Sequence, residues 1–135
     1  MNYELRLSVP KNTPKTAPVE DTLTVHPGVV KEVNILFPSR CAQLAHVQII
    51  RSLQNLWPPY DDMSFTGDGE VVDWEEEYLL DDPPFDFTIR AWNLDDTYPH
   101  TVTIRMNVIP LETVTGGGVL KSLVGFFTRF GQGEL

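Results

Sequence analysis

Residues 85–93 read Phe85-Asp86-Phe87-Thr88-Ile89-Arg90-Ala91-Trp92-Asn93. After Leu-Asp-Asp-Thr-Tyr-Pro the chain resumes with His100-Thr-Val-Thr-Ile-Arg-Met-Asn-Val-Ile-Pro110. Apolar residues fall at 85, 87, 89 and 91, then at 102, 104, 106 and 108. Period two on both sides of a turn-rich loop predicts an antiparallel hairpin with one buried face. Pairing Asn93 with His100 sets Ala91 opposite Val102, Ile89 opposite Ile104, Phe87 opposite Met106 and Phe85 opposite Val108. A slip of one residue puts an apolar side chain opposite a polar one at every rung.

The same alternation recurs upstream. Strands are expected over 3–9, 19–25, 29–37 and 45–52, with a weaker extended piece over 53–59 and another strand over 71–79. Pro10, Pro14 and Pro18 make residues 10–18 an extended arm, since proline lacks the N–H a ladder needs. Seven or eight short strands without a convincing helix predict an all-β, antiparallel two-sheet sandwich, jelly-roll or immunoglobulin-like. The inward set is Leu5, Leu7, Leu23, Val33, Ile35, Val47, Ile49, Phe87, Ile89, Val102, Ile104 and Met106. Ile50 takes the opposite phase from Val47 and Ile49, so the outer face there is expected to be partly covered; Trp92 breaks the inward phase of its own strand and is read as either exposed or covering the sandwich's end.

The expected organisation is a sandwich over 1–110 that includes the arm, a glycine-rich linker over 111–118, and a tail over 119–135. In the tail Leu120, Leu123, Val124, Phe127 and Phe130 recur at helical spacing, with Phe126 beside them, which predicts a short amphipathic helix. Such a helix is too short to stand alone. Its apolar stripe is therefore read as a partner-binding surface that buries against a different polypeptide, reached across the Gly116–Gly118 hinge.

Net charge is −9, which argues against a nucleic-acid partner, because phosphate binders cluster Lys and Arg. The charge is uneven. Residues 61–100 hold thirteen Asp and Glu against Arg90 alone, while the remainder holds six acids against nine bases. One region is thus a solvated face or a dock for a basic partner. The single cysteine, Cys41, excludes an internal disulfide. No basic-then-apolar signal region opens the chain, and no apolar run approaches the roughly 18–20 residues of a membrane span. Synthesis in a cytoplasm without signal-peptide export is expected, and a membrane role is not.

No nucleophile–base motif, zinc spacing or phosphate loop appears, so neither catalysis nor a cofactor is expected. Calcium is the better metal case: Asp61, Asp62, Asp68 and Glu70 share one loop, and Asp81, Asp82, Asp95 and Asp96 lie in two others. Asp is also an ordinary turn residue. Glu75, Glu76 and Glu77 alternate faces in a strand, so a solvated edge explains them better than acid–base work. Trp57, Tyr60, Trp74 and Trp92 could make a carbohydrate-stacking shelf, although large aromatics in a sandwich serve the core more often.

The stretch 29–57, with Phe37-Pro38, Cys41 and Leu56-Trp57-Pro58, resembles phage-encoded β-sandwich proteins. Together with the arm and the apolar tail it is similar to small accessory proteins of tailed-phage virions, the head decoration type above all. That resemblance implies a structural role in a virion and many copies. It implies a homo-oligomer, trimeric in that type, sitting on a shell protein, with arms that clasp adjacent subunits. The alternative is a calcium- or carbohydrate-binding surface module.

Overall fold

Parity decides which side chains are buried, and the connections decide which strands meet. In a computed structural model that describes residues 1–111, eight strands follow one another: β1 Asn2–Val9, β2 Val19–Thr24, β3 Gly28–Phe37, β4 Ala45–Arg51, β5 Gln54–Trp57, β6 Glu70–Leu80, β7 Asp86–Asn93 and β8 His100–Pro110. They form two antiparallel four-stranded sheets, in the orders β1-β8-β3-β6 and β2-β7-β4-β5. Strand 1 pairs with 8, 2 with 7, 3 with 6 and 4 with 5, as if one long hairpin had been rolled up.

The hairpin expected between 85–93 and 100–110 does not form. β7 and β8 lie in different sheets. Ile89 stands between Asp21 and Ile49, and Ile104 between Leu5 and Ile35. Asn93 pairs with Ala45 and His100 with Val9. The apolar rows still share one core, because Phe87, Ile89, Ala91, Val102, Ile104, Met106 and Val108 are all buried in it. Strict alternation is equally consistent with apolar rows side by side in one sheet and with rows in two different sheets. The six-residue connection Leu94–Pro99 takes the chain across. Asn93 helps to hold it, its side-chain amide donating to the carbonyls of Val9 at 3.3 Å and Tyr98 at 3.0 Å.

The rest of the inward set is buried as expected, apart from Leu5, which is half-buried on the edge strand β1. Gly28 marks the tightest approach: a Cβ there would lie 2.0 Å from the Ile109 carbonyl oxygen. A β-bulge in β3 between Val30 and Glu32 shifts its register against both β6 and β8. The outer face of the second sheet is covered, as the phase of Ile50 suggested, and Trp92 is buried there instead of exposed. Gln48, fully buried there, donates to the carbonyls of Asp61 at 3.0 Å and Met63 at 2.8 Å, so the loop after β5 lies over β4. β8 ends at Pro110. The linker beyond residue 111 and the predicted helix lie outside the described residues.

Candidate interaction surfaces

The arm is fastened to its own body. Asn12 N–H donates to Asp95 O at 2.8 Å, and Thr13 and Asn93 exchange backbone bonds at 2.9 Å in both directions. The Thr13 hydroxyl closes the turn by donating to Pro10 O at 2.7 Å. Lys15 then reaches over the second sheet. Its ammonium donates to the Asp61 carbonyl at 2.5 Å, lies 3.8 Å from the Asp61 carboxylate, and sits 5.5 Å from the Trp92 ring centroid. Within the described chain the arm, expected to clasp an adjacent subunit, lies against Asn93, Asp95, Asp61 and Trp92. It is not the extended arm expected: two turns fold it, one at Lys11–Asn12, where Asn12 has a φ of 57°, and one at Lys15–Thr16, closed by the Ala17 N–H donating to Pro14 O at 3.1 Å, while Asn12, Thr13 and Lys15 supply the ties.

The four calcium candidates do not converge. Asp61 accepts from Asn55 at 3.2 Å and faces Arg90 at 3.8 Å as well as Lys15. Asp68 accepts from the Arg40 N–H at 2.8 Å, and Glu70 accepts from the Asp68 N–H at 3.2 Å. Asp62 is exposed. Only the Asp68–Glu70 bond is a local turn tie, while Asp61 and Asp68 hold segments distant in the chain. Among the described residues no three His, Cys, Asp or Glu side chains are grouped to hold a metal ion. Asp82 serves through its backbone: Arg51 donates to its carbonyl at 2.6 Å, to Pro84 O at 3.1 Å and to the Tyr78 hydroxyl at 3.0 Å.

The aromatic shelf is an interior cluster instead. Trp57 packs edge-on against Trp74 and Tyr78 and stacks on Phe87, while Phe65 stacks on Trp74 at 4.9 Å. Tyr60 is exposed. Trp92 is buried beneath Lys15 and stacks on His46. The three glutamates of β6, of which alternation allows at most two on one face, take separate partners. Glu76 accepts the Trp74 indole N–H at 2.9 Å, Glu77 pairs with Lys31 at 2.6 Å, and Glu75 lies opposite Glu32. All three, with Lys31, Glu32 and Asn107, nevertheless line one open, polar concavity of about 590 Å³.

Each histidine is engaged in holding chain segments together. His26 Nδ1 bonds the Tyr3 hydroxyl, joining the start of β1 to the β2–β3 turn. His46 Nδ1 meets Ser64 Oγ at 2.8 Å, fixing the covering loop. Burial, and then the charge of Lys15, hold the His46 imidazole below its ordinary pKa. His100 Nε2 lies 2.8 Å from Asp95 Oδ2. The Asp95 carboxyl is held below the usual range, first by the Thr97 N–H and then by His100. Burial pushes the Cys41 thiol up to about 11, with the charges of Asp68 and Asp95 adding to it. A thiol so protonated and enclosed is a poor nucleophile.

No protein-family model matches the chain, and no curated protein does. Among solved structures it is similar to a de novo designed double-stranded β-helix determined in solution by NMR, at 18% identity and a TM-score of 0.38, covering 77% of this chain and 97% of that one. It is also similar to PliG of Aeromonas hydrophila, a periplasmic lysozyme inhibitor of g-type lysozyme, at 12% identity and a TM-score of 0.46, covering 78% and 86%. Both likenesses fall below the level from which fold or activity follows.

Proposed function

We propose that this chain is a non-enzymatic structural or interaction protein of a larger assembly: a virion accessory protein of the head-decoration kind, built on a jelly-roll sandwich. The rolled-hairpin strand order supports the jelly-roll reading. The observation that carries the functional reading is the apolar stripe of the tail, which follows a strand order that ends at Pro110. His26, His46 and His100 are bonded to Tyr3, Ser64 and Asp95, each tying a loop or turn to the body. Attachment is assigned to the tail, through Leu120, Leu123, Val124, Phe126, Phe127 and Phe130, whose helical spacing is a property of the sequence. The partners are other copies of this chain and a shell protein, assembled after synthesis in a host cytoplasm.

The test is mass spectrometry of purified particles, paired with a chain ending at Glu112. The shortened chain is expected to melt like the full one and to lose its place on the particle. If it attaches as the full chain does, the tail only covers its own domain and the reading fails. A calcium-dependent rise in melting temperature, abolished in Asp61→Asn/Asp62→Asn, favours a calcium-binding module instead.

A further inference from the structure

The four sheet edges are not equally guarded. A free edge presents unpaired N–H and C=O groups to any other strand, and natural sheets block such edges with like charges, inward-pointing charges or short strands. β6 carries Asp73, Glu75, Glu76 and Glu77, so a second β6 would meet it carboxylate to carboxylate. β2 places Asp21 on its core side, opposite Ile89, and still exposed. β5 is four residues long. β1 has none of these devices. It is eight residues long, its two charges are Glu4 and Arg6, and among the described residues it pairs with β8 alone. Its core-side residues Tyr3 and Leu5 are only half-buried, although both pack against the core, so this edge still exposes apolar surface.

We propose that β1 is a self-association edge whose occupant is β1 of a second copy of this chain, running antiparallel and joining the two first sheets into one of eight strands. The sequence specifies the register. With the two-fold axis at Leu5, Glu4 faces Arg6 of the second copy and Arg6 faces its Glu4. Tyr3 faces Leu7, Asn2 faces Ser8, and every core-side residue meets another. A slip of one residue sets core-side against solvent-side positions. A slip of two sets Glu4 against Glu4 or Arg6 against Arg6, which costs rather than contributes. Glu4 already sits between two cations in its own chain, 3.1 Å from Arg6 and 2.9 Å from Arg105, so it stands ionised on the solvent face where the second copy's arginine arrives. The proposal deepens the assembly reading above and rests on it for its setting, while the edge geometry stands by itself.

Sedimentation of the full chain over a concentration series is expected to reach the mass of two chains. Glu4→Lys and Arg6→Glu, each placing like charges at two symmetric rungs, are expected to weaken association by at least about tenfold while remaining folded by thermal melting. Mixing the two variants is expected to restore the dimer, because the introduced lysine then meets the introduced glutamate and the remaining Arg6 meets the remaining Glu4. A dimer that persists in Arg6→Glu, or a mixture that stays monomeric, overturns the proposal. So does a monomeric wild-type chain whose β1 amides are protected from hydrogen exchange, since its own tail then occupies the edge. A wild-type monomer that still attaches to particles overturns this edge and leaves the assembly reading standing; a β1 dimer that no particle binds does the reverse.

Discussion

The imidazole of His46 lies parallel to the indole of Trp92, with 5.1 Å between ring centroids and 5° between planes. The Lys15 ammonium sits by the same indole. Arm, covering loop and second sheet thus meet around one aromatic pair, and a second positive charge there is unwelcome.

That arrangement sets a pH dependence. His46 is held below its ordinary pKa in the folded chain, first by burial and then by Lys15. The unfolded chain therefore takes up the proton first. The contribution of this group is complete above about pH 6.5, the ordinary histidine value, and is lost as pH falls from there through the lower folded value. Melting temperature is expected to fall between pH 7 and pH 5. His46→Phe, which keeps a flat ring on Trp92 without the titrating nitrogen, is expected to flatten that fall. An equally steep fall in the variant would assign the acid sensitivity elsewhere.

Why was this cluster only half legible in the sequence? Ile50 stands out of phase in an otherwise regular strand, and that alone told that an outer face is covered; Trp92, out of phase as well, was equally compatible with an exposed position. What covers it depends on where residues 60–65 and Lys15 come to rest, which no spacing encodes. The core residues were legible for the converse reason. Burial of Phe87, Ile89, Val102 and Ile104 follows from parity, whichever strands they pair with. Their partners were not legible, because the Leu94–Pro99 connection can turn back in one sheet or cross to the other without altering either apolar row. The acidic loop residues were readable as turn-formers. That Asp61 meets Lys15 and Arg90 while Asp68 meets the Arg40 backbone is a long-range outcome.

Ile104 tests the core directly. It is fully buried on β8 between Leu5 and Ile35. Ile104→Asp strands a carboxylate there without a partner and is expected to abolish cooperative folding. Ile104→Ala leaves a cavity instead and is expected to cost about 2–5 kcal/mol, read from the denaturant midpoint at unchanged slope. A soluble Asp variant with the wild-type melting temperature would show that this position does not face the core.

Gly28 tests the close approach of β3 to β8. A methyl at this position would lie 2.0 Å from the Ile109 carbonyl oxygen and 3.0 Å from a Val108 side-chain carbon. The nearest obstacle is backbone within a paired strand, so it cannot rotate away. Gly28→Ala is expected to destabilise by about 1–3 kcal/mol, despite alanine's lower cost in chain entropy. Chemical denaturation of the pair of proteins measures it, and a neutral result would mean that the two strands separate there at little cost.

The turn between β4 and β5 holds the reverse opportunity. Ser52 and Leu53 have φ of 54° and 66°, the left-handed pair a two-residue hairpin turn requires, closed by the Arg51–Gln54 rung. Glycine and asparagine adopt this region readily, whereas a side chain branching beyond Cβ gains nothing from it. Leu53 is 100% exposed, so its removal forfeits no packing. Relief of left-handed strain then outweighs the extra freedom glycine gives the unfolded chain. Leu53→Gly is expected to raise stability by about 0.5–1 kcal/mol, and Ser52→Asn with it to raise it further. Thermal melting at pH 7 decides the matter. A lower melting temperature in Leu53→Gly would mean that the exposed leucine is held by a contact from beyond residue 111 or from another copy, and repeating the melt on the chain ending at Glu112 would separate those two cases.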